Sequence, residues 1–391
     1  MKKAKKILAV TGIRSEYDIL YPVLKSINES EDFDLQLVVS SAHLSDWHGF
    51  TLKSIEADGF EIVDKIDCLL MTNRKTQRSK GVGLLTYALS QTVERVEPDI
   101  LLVLGDREES IATAIVGNYM DVLVAHIGGG DPVYGNADDP IRIAVSKIAH
   151  LHFTTAKPYA DNLKNISEQD FRIHFSGNPA YYNIDKTPQM DMESLSKDLG
   201  FDLQEEKYLV LIKHPLSSEI KDSYEQMKIT LTAIEEFCVK HDFKLVSSYP
   251  NTDPGSYDIL KAVSEFENKD FVKFTKSLPR LQFVNLMRHA RALCGNSSMG
   301  ILEAPHYKLP VVNIGARQTG RLNAGNVKFV KHDNVEIIDA LEQACFDEEY
   351  RTMIQNIDNP YGDGTAAEKI VKVLKEIDPT DSKWLVKSDL C

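Results

Sequence analysis

Ile100-Leu101-Leu102-Val103-Leu104-Gly105-Asp106-Arg107-Glu108-Glu109 decides the fold. Five consecutive aliphatic residues leave no polar face, so the strand they form is buried on both sides. Such strands belong to parallel sheets covered by helices on both faces. Gly105 turns the chain, and Asp106 and Arg107 then stand at the strand's carboxyl end, where open α/β sheets bind their ligands. The stretch Ser110–Tyr119 that follows reads as a helix.

The same unit recurs on either side. Lys6–Thr11, Leu35–Val39, Leu123–Ile127, His152–Thr155 and Arg172–Phe175 read as further strands. Pro22–Ile27, Gly81–Val96, Pro140–Ala149 and Pro158–Ile166 read as helices. A polar stretch, Lys186 to Lys207, separates this series from a second one. The second has strands at Tyr208–Ile212, Lys244–Ser248, Val272–Thr275, Ala292–Cys294 and Val311–Ile314, with helices including Ser223–Lys240, Leu281–His289 and Ser298–Ala304. The chain thus divides near residues 178–190 into two α/β halves. The polar, basic segment Leu70–Lys80 is expected to be a mobile loop.

Composition narrows the function. The 391 residues carry 58 Asp+Glu against 45 Lys+Arg, a formal net charge of −13. A nucleic-acid binder usually shows a basic footprint, so that class loses ground, and any substrate phosphate must be met by a local basic pocket. Hydrophobic residues at 43% and charged residues at 26% suit globular cores. No apolar run approaches the ~20 residues of a membrane helix. The basic start Lys2-Lys3-Ala4-Lys5-Lys6 is expected to lead into a first β-strand rather than form a secretory leader, because the apolar run Ile7–Gly12 is short for one and Arg14 and Glu16 follow it. Cys68, Cys238, Cys294, Cys345 and Cys391 are widely spaced and form no CxxC pair, which points to a reducing cytoplasm.

The strand ends carry the chemistry. Gly295-Asn296-Ser297-Ser298-Met299-Gly300 joins a strand to a helix, where free N–H groups and two hydroxyls make an anion site for a diphosphate. Glu303, one turn on, can accept from two vicinal ribose hydroxyls; a serine cap beside a surface glutamate is the plain alternative. The segment lacks the signatures of a P-loop or a GxGxxG dinucleotide site. Arg14 and Arg317, one from each half, can fork onto phosphate oxygens. Asp106 is a base or a helix cap, and Asp131, after three glycines, a ligand contact or a turn residue. Asp139 reads as a helix N-cap before Pro140. Arg142 then falls on the polar face with Ser146, opposite Ile141, Val145 and Ile148, and can point to the same place. His214 is an acid, a phosphate donor or a structural histidine. His126, inside a strand, reads as structural, while His43 and His48 flank Trp47. No histidines show a metal-like spacing, so no catalytic metal is expected.

In order and placement, the segments TGIRSEYD, SAHLSDWHG, LVLGDREE, AHIGGGD, DDPIRIAVSKIAH, SGNP, KHPLSSE, YPNTDPGS, GNSSMGILEA, NIGARQTGR and NPYGDGTA resemble the hydrolysing UDP-N-acetylglucosamine 2-epimerases of sialic-acid and legionaminic-acid biosynthesis. The resemblance implies two Rossmann-like domains in a GT-B-like arrangement with the active site in the cleft between them. It implies residues 1–180 as the N-terminal domain, 181–365 as the nucleotide-binding domain and 366–391 as a helix and tail crossing back to the first. Arg14, Asn251, Ser297, Ser298, Glu303 and Arg317 are implied to contact the nucleotide diphosphate. Asp106, Arg107, Asp131, Asp139, Arg142 and His214 are implied to surround the sugar. No cofactor or metal is implied; the partner is a UDP-sugar, in a cytoplasmic homodimer or homotetramer. Many relatives carry Glu or His where this chain has Gly128, which shifts the proton chemistry to Asp106, Asp131, Asp139, His214 or a water.

The implied reaction eliminates the nucleotide diphosphate to a 2-acetamidoglycal and then adds water, turning UDP-N-acetylglucosamine into N-acetylmannosamine and UDP. The same chemistry on a GDP- or UDP-linked 2,4-diacetamido-trideoxyhexose is an alternative. So are a reversible non-hydrolysing epimerase, a GT-B glycosyltransferase and a nucleotide-sugar-binding regulator.

Overall fold

The computed structural model describes residues 3–72, 74, 76–133, 138–216 and 218–387. Its first sheet has seven parallel strands, β1 (Lys5–Thr11), β2 (Phe33–Ser40), β3 (Glu61–Ile66), β4 (Ile100–Leu104), β5 (Leu123–Ile127), β6 (Leu151–Thr154) and β7 (Ile173–Phe175), in the order 3-2-1-4-5-6-7. The second has six, β8 (Tyr208–Ile212), β9 (Lys244–Ser248), β10 (Val272–Thr275), β11 (Ala292–Gly295), β12 (Val311–Ile314) and β13 (Val327–Val330), in the order 10-9-8-11-12-13. Both are Rossmann-like. In each, the order reverses once, between β1 and β4 and between β8 and β11, and there the covering helices diverge and open a crevice at the strands' carboxyl ends.

Each sheet is buried on both faces by alternation along its strands. Ile7 and Ala9 of β1 enter one core with Leu20 and Leu24 of the Arg14–Asn28 helix and with Ile370 and Leu374. Leu8 and Val10 enter another, with Leu85, Leu89 and Val93 of the Thr76–Val96 helix. In the second sheet Leu209 and Leu211 meet Met227, Leu231 and Ile234, while Tyr208 and Val210 meet Leu195, Leu199 and Met287. Truncating one such leucine to alanine costs about 2–5 kcal/mol.

The chain forms two compact units. Among the described residues, the first combines residues 3–132, 138–183 and 361–387; the second combines Val133 with Ile184–Pro360. In the first unit the Ala366–Glu376 helix lies against the Arg14–Asn28 helix. Lys5 Nζ fastens its end by donating to Leu374 O at 2.6 Å and Lys375 O at 2.8 Å.

Several expectations need correction. The first helix is longer than Pro22–Ile27. It starts at Arg14, because Pro22 is tolerated inside it. Proline cannot donate to the carbonyl four residues back, and Asn183 Nδ2 takes that Asp18 carbonyl instead. Residues 76–80 are not loop but the first turn of the Thr76–Val96 helix. The polar stretch Lys186–Lys207 holds a helix, Met192–Leu199, capped by Asp191 and anchored by buried Leu195 and Leu199. The helix expected at Ser298–Ala304 is a single turn, Met299–Leu302. Among the described residues, no helix is long and apolar enough to cross a membrane. Cys68, Cys238, Cys294 and Cys345 are buried free thiols, and Cys391 lies outside the described residues.

Candidate active site

In the first unit the crevice strands deliver charge of both signs. β4 ends at Leu104 and is followed by Gly105 and Asp106; β5 ends at Ile127 and is followed by Gly128–Gly130 and Asp131. Arg142, on the Asp138–Ile148 helix, joins them. Its Nη2 bonds Asp106 Oδ2, while its Nη1 lies 3.2 Å from Asp131 Oδ2 and donates to Gly128 O at 3.0 Å. Burial opposes the charge on Arg142, but the two carboxylates more than offset it and hold the guanidinium protonated well above the ordinary arginine range. Gly128 sits at φ +84, a left-handed conformation that side chains rarely adopt. The absence of a Glu or His at this position therefore matches the backbone that hands its carbonyl to Arg142.

This corrects two readings. Asp106 does not cap the next helix, which begins at Glu108 with Arg107 as its cap residue and no side-chain cap bond. Asp139 is not an N-cap, because the helix already begins at Asp138. Arg142 and Ser146 share a polar face as read, and that face is buried, whereas Ile143 of the same helix is 47% exposed. The helix turns its polar side inward because the strand ends hold partners for it.

Arg78 was hidden in the expected loop. It pairs with Glu108 and, at 2.7 Å, with Asp138, tying the start of the Arg142 helix to the turn after β4. Arg107 reaches Glu108 at 3.5 Å, and Arg14 donates to Asp18 at 3.1 Å within its own helix. Glu16 and Glu109 stand behind them. Burial, and then the Glu109 carboxylate, push Glu16 well above the usual carboxylate range; burial, and then Glu108, also raise Glu109. A side chain at Gly12 would collide with the Glu109 carboxyl at 1.8 Å, so the turn after β1 must be glycine. His126 is structural: buried, bonded to Gly105 O at 2.7 Å and drawn down to about 3 by burial. His43 is likewise buried, between Thr11 and Thr51.

In the second unit the crevice is held mainly by amides, a histidine and backbone, with Arg317 as a cation among them. Asn296, after β11, bonds the His214 backbone twice: its Oδ1 accepts the His214 N–H at 2.7 Å and its Nδ2 donates to His214 O at 2.8 Å. Arg317 Nη1 and Gln318 Nε2 both donate to Asn296 O at 3.0 Å. The Asn251 amide donates to His214 Nδ1 at 3.1 Å, which leaves the ring proton on Nε2. His214, Asn251 and Arg317 thus meet around Asn296, a residue the sequence did not single out. The Asn251 side chain is engaged with Asp253 in a tight turn. Ser297 Oγ accepts the Met299 N–H at 3.3 Å, and Ser298 and Glu303 flank the single helical turn as its cap residues. Gly295 has φ +117, and a Cβ there would meet Ile212 O at 2.1 Å, so the turn before these serines requires glycine. Below it, Lys213 Nζ lies 2.8 Å from His332 Nε2, and burial draws this lysine down to about 7.

The model of the UDP-N-acetylglucosamine 2-epimerase family matches residues 25–375. The chain is 30% identical to the UDP-N,N'-diacetylbacillosamine 2-epimerase (hydrolyzing) of Legionella pneumophila, over 98% of each chain. It is 30% identical to the UDP-N-acetylglucosamine 2-epimerase of Neisseria meningitidis, over 87% of this chain and 88% of that one. The crystal structure of UDP-GlcNAc 2-epimerase from Neisseria meningitidis bound to UDP-GlcNAc has the same fold, with a TM-score of 0.79 at 21% identity, covering 94% of this chain and 99% of that chain. The family match and the fold point the same way as the strand-end chemistry: this chain belongs to the UDP-N-acetylglucosamine 2-epimerase family.

Proposed function

We propose that the protein is a hydrolysing 2-epimerase of a UDP-linked 2-acetamido sugar, releasing UDP and the free sugar with C2 inverted. The observation that supports this most is the Asp106–Arg142–Asp131 bridge. A proton on C2 is a poor acid, because no carbonyl stabilises the resulting anion. Abstraction must go with departure of the diphosphate, so the enzyme needs carboxylates for the proton and donors for the leaving group.

In this reading Asp106 or Asp131 takes the C2 proton. The C2–H electron pair becomes the C1=C2 bond of a 2-acetamidoglycal, and the C1–O bond breaks with its pair passing to the departing UDP. Water then supplies a hydroxyl to C1 and a proton to the opposite face of C2. Arg142 holds the unused carboxylate in orientation. Asp139 and Arg107 contact the sugar. His214, with its proton on Nε2, donates to the leaving oxygen. Arg14, Asn251, Ser297, Ser298 and Arg317 hold the diphosphate, and Glu303 accepts from the ribose. The reading carries a cytoplasmic homo-oligomer with it.

Two sugars compete. UDP-N-acetylglucosamine, giving N-acetylmannosamine, is the first. The second is UDP-N,N'-diacetylbacillosamine, favoured by the Legionella relative and by a Campylobacter jejuni relative named GDP/UDP-N,N'-diacetylbacillosamine 2-epimerase (hydrolyzing), 32% identical over 83% of each chain. Incubating the purified chain with each, and separating products by charge, tests the proposal. Free sugar and UDP in equal amounts are expected from one of them. An epimer still attached to UDP would replace hydrolysis by reversible epimerisation, and transfer to an added acceptor without turnover in water would favour a glycosyltransferase.

A further inference from the structure

The last described residues do not trail away from the first unit. Arg172, wholly buried, gathers them. Its Nη1 donates to Trp384 O at 2.6 Å and His150 O at 3.1 Å, and its Nη2 to Lys383 O at 2.6 Å and Val386 O at 2.8 Å. The Trp384 ring lies 5.3 Å from that of Phe171. This clamp delivers Lys387 to one particular place, the C-terminal end of the Asp138–Ile148 helix. Lys387 Nζ donates to Ala149 O at 2.7 Å, Lys147 O at 2.8 Å and Ser146 O at 3.4 Å. It also pairs at 2.7 Å with Glu168, whose side chain is fully buried and takes Lys147 and His152 as well.

The last carbonyls of a helix have no partner within it, and a cation there satisfies them and meets the negative end of the helix dipole. The helix capped in this way carries Arg142 one turn before Ser146. It also lies close on the turn after β5: a Cβ at Gly129 would stand 3.1 Å from Ser146 Oγ. A helix this short moves as a rod, so freedom at its C-terminal end is freedom for the Arg142 guanidinium. A misplacement of about 1 Å in such a group can cost about 100-fold in rate.

We propose that Lys387 is a positioning residue: by holding the end of the Asp138–Ile148 helix it sets where Arg142 stands between Asp106 and Asp131. The effect on rate rests on the epimerase reading; the effect on the helix does not. The test is Lys387→Met in the full chain. It is read by turnover of the two UDP-sugars, UDP affinity, and hydrogen exchange of the amides from Ile141 to Ile148. Turnover should fall at least tenfold, with KM and UDP affinity within twofold, exchange in the helix at least tenfold faster, and Lys387→Arg recovering most of the rate. Lys387→Met leaves Glu168 with less compensation, so if it does not fold, Lys387→Met with Glu168→Gln removes that charge and should show the same losses. Unchanged exchange, or faster exchange with kcat within twofold of the unaltered chain, overturns the proposal. If the unaltered chain turns over neither sugar, the epimerase reading fails; faster exchange from Ile141 to Val145 still supports the hold on the helix, and unchanged exchange still overturns it.

Discussion

The two units share a topology, yet their crevices are furnished oppositely. At the ends of β4 and β5 the bonds run between full charges, with Arg142 between two carboxylates and Arg78 between Glu108 and Asp138. At the ends of β8 and β11 they run through amides, one imidazole, backbone and the Arg317 guanidinium, with Asn296 at the centre. Charges fixed in advance suit proton transfer, where a carboxylate must be ionised and aimed before the substrate arrives. Amide donors and an arginine that donates to a backbone carbonyl suit gripping an anion.

The comparison can be broken most severely at Arg142. Arg142→Met should lower kcat by at least 1,000-fold. It should also destabilise the first unit by about 3–5 kcal/mol, because Asp131 is left buried without its cation. Steady-state kinetics with urea unfolding checks both, and a small loss in kcat would show that the charged crevice is scaffolding. Next comes Asp106→Asn, which keeps the shape and removes the charge. Turnover should drop at least 100-fold while UDP affinity stays within about threefold, as titration calorimetry would show. Full activity would take Asp106 out of the reaction.

A smaller, opposite signature is expected in the second unit. Asn296→Ala unties the His214 backbone from the turn after β11 while leaving the carbonyl that Arg317 uses, and lost bonds of about 1–3 kcal/mol should weaken UDP binding by roughly 10- to 100-fold, with less effect on kcat. A kcat effect equal to that of Asp106→Asn would erase the division of labour. The smallest effect concerns Lys213. Its folded pKa is depressed to about 7, so the unfolded chain binds the extra proton above that pH. Lys213 therefore makes stability rise as pH increases from about 7 toward the ordinary lysine value. Lys213→Met should remove that rise, with melting temperatures of the two chains converging at alkaline pH. A constant difference would place the lysine's proton elsewhere.

The sequence was most legible where strands are buried on both faces. Ile100–Leu104, Leu123–Ile127, Tyr208–Ile212 and Val311–Ile314 form as read, since short, predominantly apolar runs bounded by glycine turns suit strands buried on both faces of a parallel sheet. The edge strands β3 and β13 escaped notice because their half-exposed faces mix charges into the pattern, as in Glu-Ile-Val-Asp-Lys-Ile. Among the candidate site residues, position after a strand was enough to bring out Asp106, Asp131 and His214. Partners were not legible. Arg78 lies 60 residues from Asp138, Asn296 lies 82 from His214, and Lys387 lies 238 from Ala149. Only the folded register brings them together.

The most direct test of the central claim is turnover of the two UDP-sugars in deuterated water, with the released sugar read by NMR. The account expects a free sugar with C2 inverted and one deuterium on C2, formed together with UDP. Free sugar carrying the original hydrogen at C2 would contradict it, because the strand-end carboxylates would then never have taken the proton.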